Sequence, residues 1–464
     1  MMSLAQERVG KQMATTLSPS FRGPRRMVAS YASGNCSATL LLSDPKAIQH
    51  VLATNANNYP RDPKINLLLA DLMLGVGILS AEGALHVKYR KFFSPLFTAS
   101  AVKSYLTIFE SQTLAACDRL VQNTRDHPSL NMLPVLRQLT LNIIGLAMCG
   151  LNFEDHPQAA ATYKHYAGVP GKFILIGLVA IPGFMRLPLP AIRRRRQAQQ
   201  ALRRLISDII DAKLMKDTTT EKNDKQVDFL DLILRESTVD EAIAHTMTVL
   251  FAGHDTASGV LSWTLATLAT QPRVVALLRA EHKAVADHHH GSLGTAEAVG
   301  ELTYTLAVIQ ESMRLNTVTE GITPRIALQA DRIPTCDGSS FDAPKGTQML
   351  VKFGALHRNP KYWACPDEFI PERFVEHSAE WNADLALRHG QSHAFYYMPF
   401  SAGVMNCIGY RFALAEMQII IATLVSRFDF ELTADADLRH SFTGGALHPK
   451  MLDMHVRPRR RSSA

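Results

Sequence analysis

Apolar positions recur at helical spacing through most of this chain and at strand spacing only near its start and after residue 325. Ala38 to Leu42 (ATLLL) predicts a short strand. Ser43-Asp44-Pro45 then opens a helix through KAIQHVLA, with Ser or Asp as cap and Pro in the first turn. Apolar residues three and four apart predict helices over 102–122 and 134–149, and an amphipathic helix over 188–214 carrying the run Arg193 to Arg196. The charged, Thr-rich stretch 217–226 predicts an exposed loop. The longest periodic segment, 239–269, would reach about 45 Å, enough to cross a whole domain. After Arg325, short extended pieces alternate with Gly and Pro turns and predict a small β region. Helical spacing returns after Cys407. No repeat or linker divides the chain, so the fold class is mainly α with a small β region, in a single large domain.

Composition narrows the function. A chain of 464 residues that is 47% apolar and 20% charged is neither fibrous nor disordered. Its net charge of +7 is well short of a nucleic-acid-binding signature. The six cysteines, at 36, 117, 149, 336, 365 and 407, form no C-x-x-C pair. That pattern argues against a disulfide framework or zinc ribbon and for a reducing compartment. Residues 1–26 form a polar N-terminal segment with no apolar run for a signal peptide or anchor helix. Phe173 to Met185 (FILIGLVAIPGFM) is apolar but too short to span a bilayer. It is either a buried helix end or a surface hairpin dipping into lipid, with Arg186 and Arg193 to Arg196 toward anionic headgroups. His288 to His290 and Arg457 to Arg461 read as solvated polar residues.

Four stretches carry candidate chemistry. In FSAGVMNCIG, Phe400 to Gly409, a cysteine lies in a Gly-containing loop ahead of a helix. Gly403 and Gly409 would let the backbone bend and approach a flat cofactor, and a helix N-terminus favours a thiolate at Cys407. In ESMRL, Glu311 and Arg314 are three apart and share a helix face. In PERF, Arg373 could join them as a third member. In AGHDTAS, Ala252 to Ser258, Gly253 would leave room for a small ligand, and Asp255 with Thr256 places an acid and an alcohol in an apolar helix, a pair able to steer protons.

In this order and spacing, 55 residues from Thr256 to Glu311 and 96 from Glu311 to Cys407, the four stretches resemble the cytochrome P-450 haem-thiolate monooxygenases. The style is most similar to fungal microsomal members. The resemblance covers about 27–456 and places the domain at 27–464, with its oxygen-activation helix at about 239–269 and its haem-binding loop at 400–409. It implies haem b (heme b) with Cys407 as axial iron ligand and Phe400 beside it. It implies that Thr256 and Asp255 relay protons to bound O2, and that Glu311, Arg314 and Arg373 form a structural triad. His86 and Arg90, four apart on a helix, and Arg325 would reach the haem propionates. One departure stands out: Met405 occupies a position where the family has Arg. His86, Arg90 and Arg325 would then compensate for the lost propionate contact.

The resemblance further implies NADPH as electron source through a separate NADPH-cytochrome reductase, since no flavin- or nicotinamide-binding motif is present. A lipophilic small-molecule substrate, in secondary metabolism, fits the apolar segments that would line the pocket. The implied location is the cytoplasmic side of the endoplasmic reticulum, held peripherally, or the cytoplasm. Two other readings stay open: an isomerase, dehydratase or oxidative cyclase on the same fold, and a haem-poor relative that only binds a lipophile.

Overall fold

A computed structural model of the chain describes residues 29–30, 39–126, 129–167, 183–219, 229–442 and 445–459, with residues 174, 177 and 181 between. The segment 1–26 and most of Phe173 to Met185 lie outside the described residues. The chain starts with β1 (Ala29–Ser30) and β2 (Thr39–Leu42) and enters α1 (Pro45–Gln49), α2 (Pro63–Leu72), α3 (Gly83–Phe93), α4 (Ala99–Lys103) and α5 (Leu106–Asp126). After β3 (Ser129–Asn131) come α6 (Met132–Cys149), α7 (Pro157–Ala167), α8 (Pro190–Thr219), α9 (Phe229–Glu236), α10 (Val239–Leu268), α11 (Pro272–His288), α12 (Ala296–Glu301) and α13 (Thr303–Leu315). Strands β4 (Arg325–Ile326), β5 (Asp331–Pro334), β6 (Ser340–Ala343) and β7 (Gln348–Val351) lead to α14 (Phe353–His357), α15 (Ala379–Leu387) and α16 (Tyr410–Arg427). The described chain ends in β8 (Phe428–Leu432), β9 (Asp437–Phe442), β10 (Leu447–Met451) and β11 (Asp453–Pro458).

Of the two residues expected to cap α1, Asp44 does so. The Asp44 carboxylate accepts the amides of Lys46 and Ala47, with Pro45 in the first turn of α1. Thr238 and Glu241 form a reciprocal capping box at the start of α10. Tyr89 of α3 donates to the same Glu241 carboxylate at 2.7 Å, so the cap also ties two helices together. The helix expected over 102–122 is instead two. Ser104 turns its hydroxyl back onto the Ala101 carbonyl at 2.8 Å, and the chain restarts as α5. Helix α8 runs on to Thr219, into the stretch expected as a loop from 217; the rest of that stretch lies outside the described residues.

Two large apolar clusters hold the described residues together. The larger joins α3, α5, α6, α10, α13 and α16. The smaller packs Leu40, Leu42, Met349, Val351 and Trp363 beneath a sheet ordered β1-β2-β7-β4, in which β2 and β7 run parallel. Strand β11 pairs with β3 and β8, and β9 pairs with β10. Helix α6 is long and apolar enough to cross a membrane, but 72% of that window is buried against its neighbours. It is a core helix packed along α10. In the run Arg193 to Arg196, Arg193, Arg194 and Arg196 are exposed. Arg195 is not a headgroup contact: it is buried and bonds Asp71 at 2.5 and 3.0 Å.

Candidate active site

The loop bearing Cys407 is closed by its own backbone: the Cys407 amide donates to the Phe400 carbonyl at 2.8 Å. Gly403 holds φ +76°, and a Cβ there would lie 2.0 Å from the Leu52 carbonyl oxygen. Only glycine fits, and it seats the loop on the turn His50–Thr54. Gly409 has an ordinary φ of −88° and caps α16; a Cβ there would make normal contact with Phe97 at 3.7 Å. Phe400 lies beside Tyr410, ring centroids 6.2 Å apart. Cys407 has open surface, yet protein atoms crowd its thiol and burial pushes it up, against the Gly409 amide and the Arg90 guanidinium. Burial outweighs the expected pull of the following helix, so a thiolate here needs a bound cation.

A group of cations surrounds this loop. Met405 does not leave its position empty of charge: Arg325 Nη1 lies 3.0 Å from the Met405 sulfur. Arg325 is buried, and its Nε has no hydrogen-bond partner among the described residues. Burial and the neighbouring Arg61 push Arg325 down to about 10. Arg61, unnoticed in the sequence, meets Arg325 through a backbone bridge and pairs with Glu82 at 2.5 Å. His86 and Arg90 share a face of α3, as their spacing implies. His86 is buried, and burial with Arg61 and Arg90 holds it below the usual histidine range, hence neutral. Arg90 points at the loop itself, donating to the Asn406 carbonyl at 2.5 Å and to its side chain at 2.6 Å. A soft sulfur and a buried guanidinium whose Nε has no hydrogen-bond partner among the described residues suit an iron porphyrin, whose propionates would supply acceptors.

The expected triad is assembled, with a fourth member. Arg314 grips both Glu311 carboxylate oxygens at 2.7 and 2.8 Å, and Arg373 Nε reaches Glu311 at 3.1 Å. Arg373 also bonds Asp384 of α15 at 2.7 Å. All four are 0 to 1% exposed. Remaining donors go to backbone: Arg314 to the carbonyls of His357, Pro366 and Glu368, and Arg373 to that of Ala364. The network lashes α13 to the segment leading into the Cys407 loop.

On α10 the acid and the alcohol turn to different partners. The Thr256 hydroxyl donates to the Ala252 carbonyl at 2.7 Å, on a face where Ala252 is exposed although most of α10 is buried. Asp255 is buried and bonds Arg137 of α6 and, at 3.1 Å, His448 of β10. These contacts and His254 overcome burial and hold its carboxyl down at about 2. Gly253 does not make room for a ligand: a Cβ there would meet the Ile144 side chain at 2.7 Å, so its space is filled by α6. Arg137 and His448 were not legible in the sequence, being brought in from 118 and 193 residues away.

A family model described as Cytochrome P450 matches residues 28–456. Similar proteins come from fungi, plants and animals. "Cytochrome P450 monooxygenase acrF" of Aspergillus aculeatus is 26% identical over 84% of this chain and 81% of its own length. "Cytochrome P450 4d2" of Drosophila melanogaster is 28% identical over 86% and 80%. "Carotene epsilon-monooxygenase, chloroplastic" of Arabidopsis thaliana is 26% identical over 88% and 75%.

Proposed function

The chain belongs to the cytochrome P450 family, and on that premise we propose that Cys407 ligates the iron of haem b in an enzyme that inserts one oxygen atom of O2 into a lipophilic small molecule. Family members are haem-thiolate oxidoreductases that incorporate oxygen. The observation that carries the assignment is the Cys407 loop, closed by its own backbone and flanked by the cation group of Arg325, Arg61 and Arg90. The test is the spectrum of the reduced, carbon monoxide-treated protein. A red-shifted Soret band is expected, and Cys407→Ser should abolish it. A wild type without that band would overturn the reading.

Bound there, the haem would supply O2 activation, and the chain would hold and orient. Arg325 and His86 would bind the propionates, and Arg90 would fix Asn406 and so the ligand loop. Thr256 would turn its hydroxyl proton from the Ala252 carbonyl toward the ligand side of α10. Asp255, kept ionised by Arg137 and His448, would stand behind it as the charged end of the relay. Glu311, Arg314, Arg373 and Asp384 would hold the segment on the thiolate side. Electrons would come from NADPH through a separate reductase, because the sequence carries no nicotinamide- or flavin-binding motif. Secondary metabolism and a peripheral position on the endoplasmic reticulum belong to the same proposal. The exposed Arg193, Arg194 and Arg196 support membrane contact.

A further inference from the structure

Outside the candidate site, two of the histidines that read as solvated are held on one carboxylate. Helix α11 ends at His288, and the chain reverses through His290 (φ +52°) and Gly291 (φ +87°) before α12 brings Glu301 back. His288 Nδ1 lies 3.0 Å and His289 Nε2 3.0 Å from Glu301 Oε1. Consecutive residues on a helix project about 100° apart. These two converge because one uses its near ring nitrogen and the other its far one. The connecting loop is pinned independently: Ser292 Oγ and the Leu293 amide donate to Glu110 of α5 at 2.9 and 2.5 Å. His289 is only 15% exposed, against 70% for His288 and 41% for Glu301.

We propose that His288 Nδ1, His289 Nε2 and Glu301 form a zinc site that clips the end of α11 to α12, separate from the haem iron. Two imidazoles and a carboxylate are a zinc donor set, leaving a fourth position for water. Zinc bonds of 2.0–2.1 Å in a tetrahedron put ligand atoms about 3.4 Å apart. The three ligand atoms already lie within 4.8 Å of one another, with both N···O separations at 3.0 Å, so the ion needs only a small adjustment. His290, turned by its left-handed backbone, is not a ligand.

The test uses the untagged, haem-loaded full chain, dialysed against a chelator and titrated with zinc chloride in a calorimeter. One saturable equivalent is expected. Glu301→Gln and His288→Ala should each weaken it by at least about tenfold, while His290→Ala leaves it unchanged. Zinc should slow amide exchange across 289–295 in the wild type and not in Glu301→Gln. The haem spectrum should be the same in every variant, which separates loss of the site from loss of fold. No saturable zinc, full affinity in Glu301→Gln, or loss of affinity in His290→Ala would each overturn the assignment.

Discussion

The guanidinium of Arg325 lies 3.0 Å from the sulfur of Met405, buried. A thioether is a weak acceptor, so at this contact the cation gains little, and Glu82 is the anion that acts on it. Replacing Arg325 by Ala should therefore cost most of the bound haem, with Lys retaining part of it. Met405→Arg should leave haem content unchanged or raise it, since the new charge would meet the same propionate. Haem per chain, measured as the pyridine complex, decides both; a sharp loss of haem in Met405→Arg would mean that Arg325 and its neighbours do not compensate.

Asp384 should matter as much as the residues of the expected triad. Removing one partner of a buried ion pair costs about 3–5 kcal/mol because its mate stays charged. Asp384→Ala would leave Arg373 with the longer Glu311 contact alone, and Glu311→Ala would strand Arg314. Both should lower the urea midpoint by similar amounts, and an Asp384→Ala protein as stable as wild type would remove it from the network.

Acid should weaken the protein well before its carboxylates titrate. Burial holds His245 and His254 near 4 and His282 and His357 near 3, below an unfolded value of about 6.5. The unfolded chain then binds more protons below that value. Stability is full above pH 6.5 and falls as pH drops toward 4, by up to about 1.4 kcal/mol per pH unit for each histidine. His245, whose two ring nitrogens have no partner among the described residues, is the cleanest probe. His245→Leu should give a shallower fall between pH 7 and 5 in urea titrations.

The Asp255 carboxyl has the opposite dependence in origin but the same sign. Its folded value of about 2 lies below the ordinary 3.8, so its contribution is present above pH 3.8 and lost as pH falls through 2. That difference corresponds to about 2 kcal/mol. Asp255→Asn should be destabilised by about this much at neutral pH, and the gap should close toward pH 2. Thr256→Ala should instead leave stability nearly unchanged and loosen the coupling of NADPH use to product formation. Unaltered coupling would favour a reaction on this fold that does not consume O2.

Local pattern exposed what depends on local pattern. The bounds of α10, the Asp44–Pro45 start of α1 and the Glu311–Arg314 pair follow from caps, periodicity and a three-residue spacing. The partners that decide the electrostatics do not. Asp384 lies on a different helix from Arg373, Arg61 bridges Arg325 at the sheet edge, and His448 sits beside a proline in a short strand whose alternation is weak. Gly253 misled for the same reason. A glycine in a helix signals close approach, but the sequence does not say whether ligand or helix approaches.

Helices α6 and α10 meet where Gly253 receives Ile144, where Thr140 Oγ1 donates to the His254 carbonyl at 2.9 Å, and where Arg137 pairs with Asp255. These three ties fall within one turn of Thr256. A rod fastened at that point cannot flex there alone, because bending it would open a close-packed seam. Any bending of the middle of α10 would have to carry α6 with it or shift to the helix ends. Shape discrimination among guests would then fall to the loops, with the middle of α10 acting as a fixed wall.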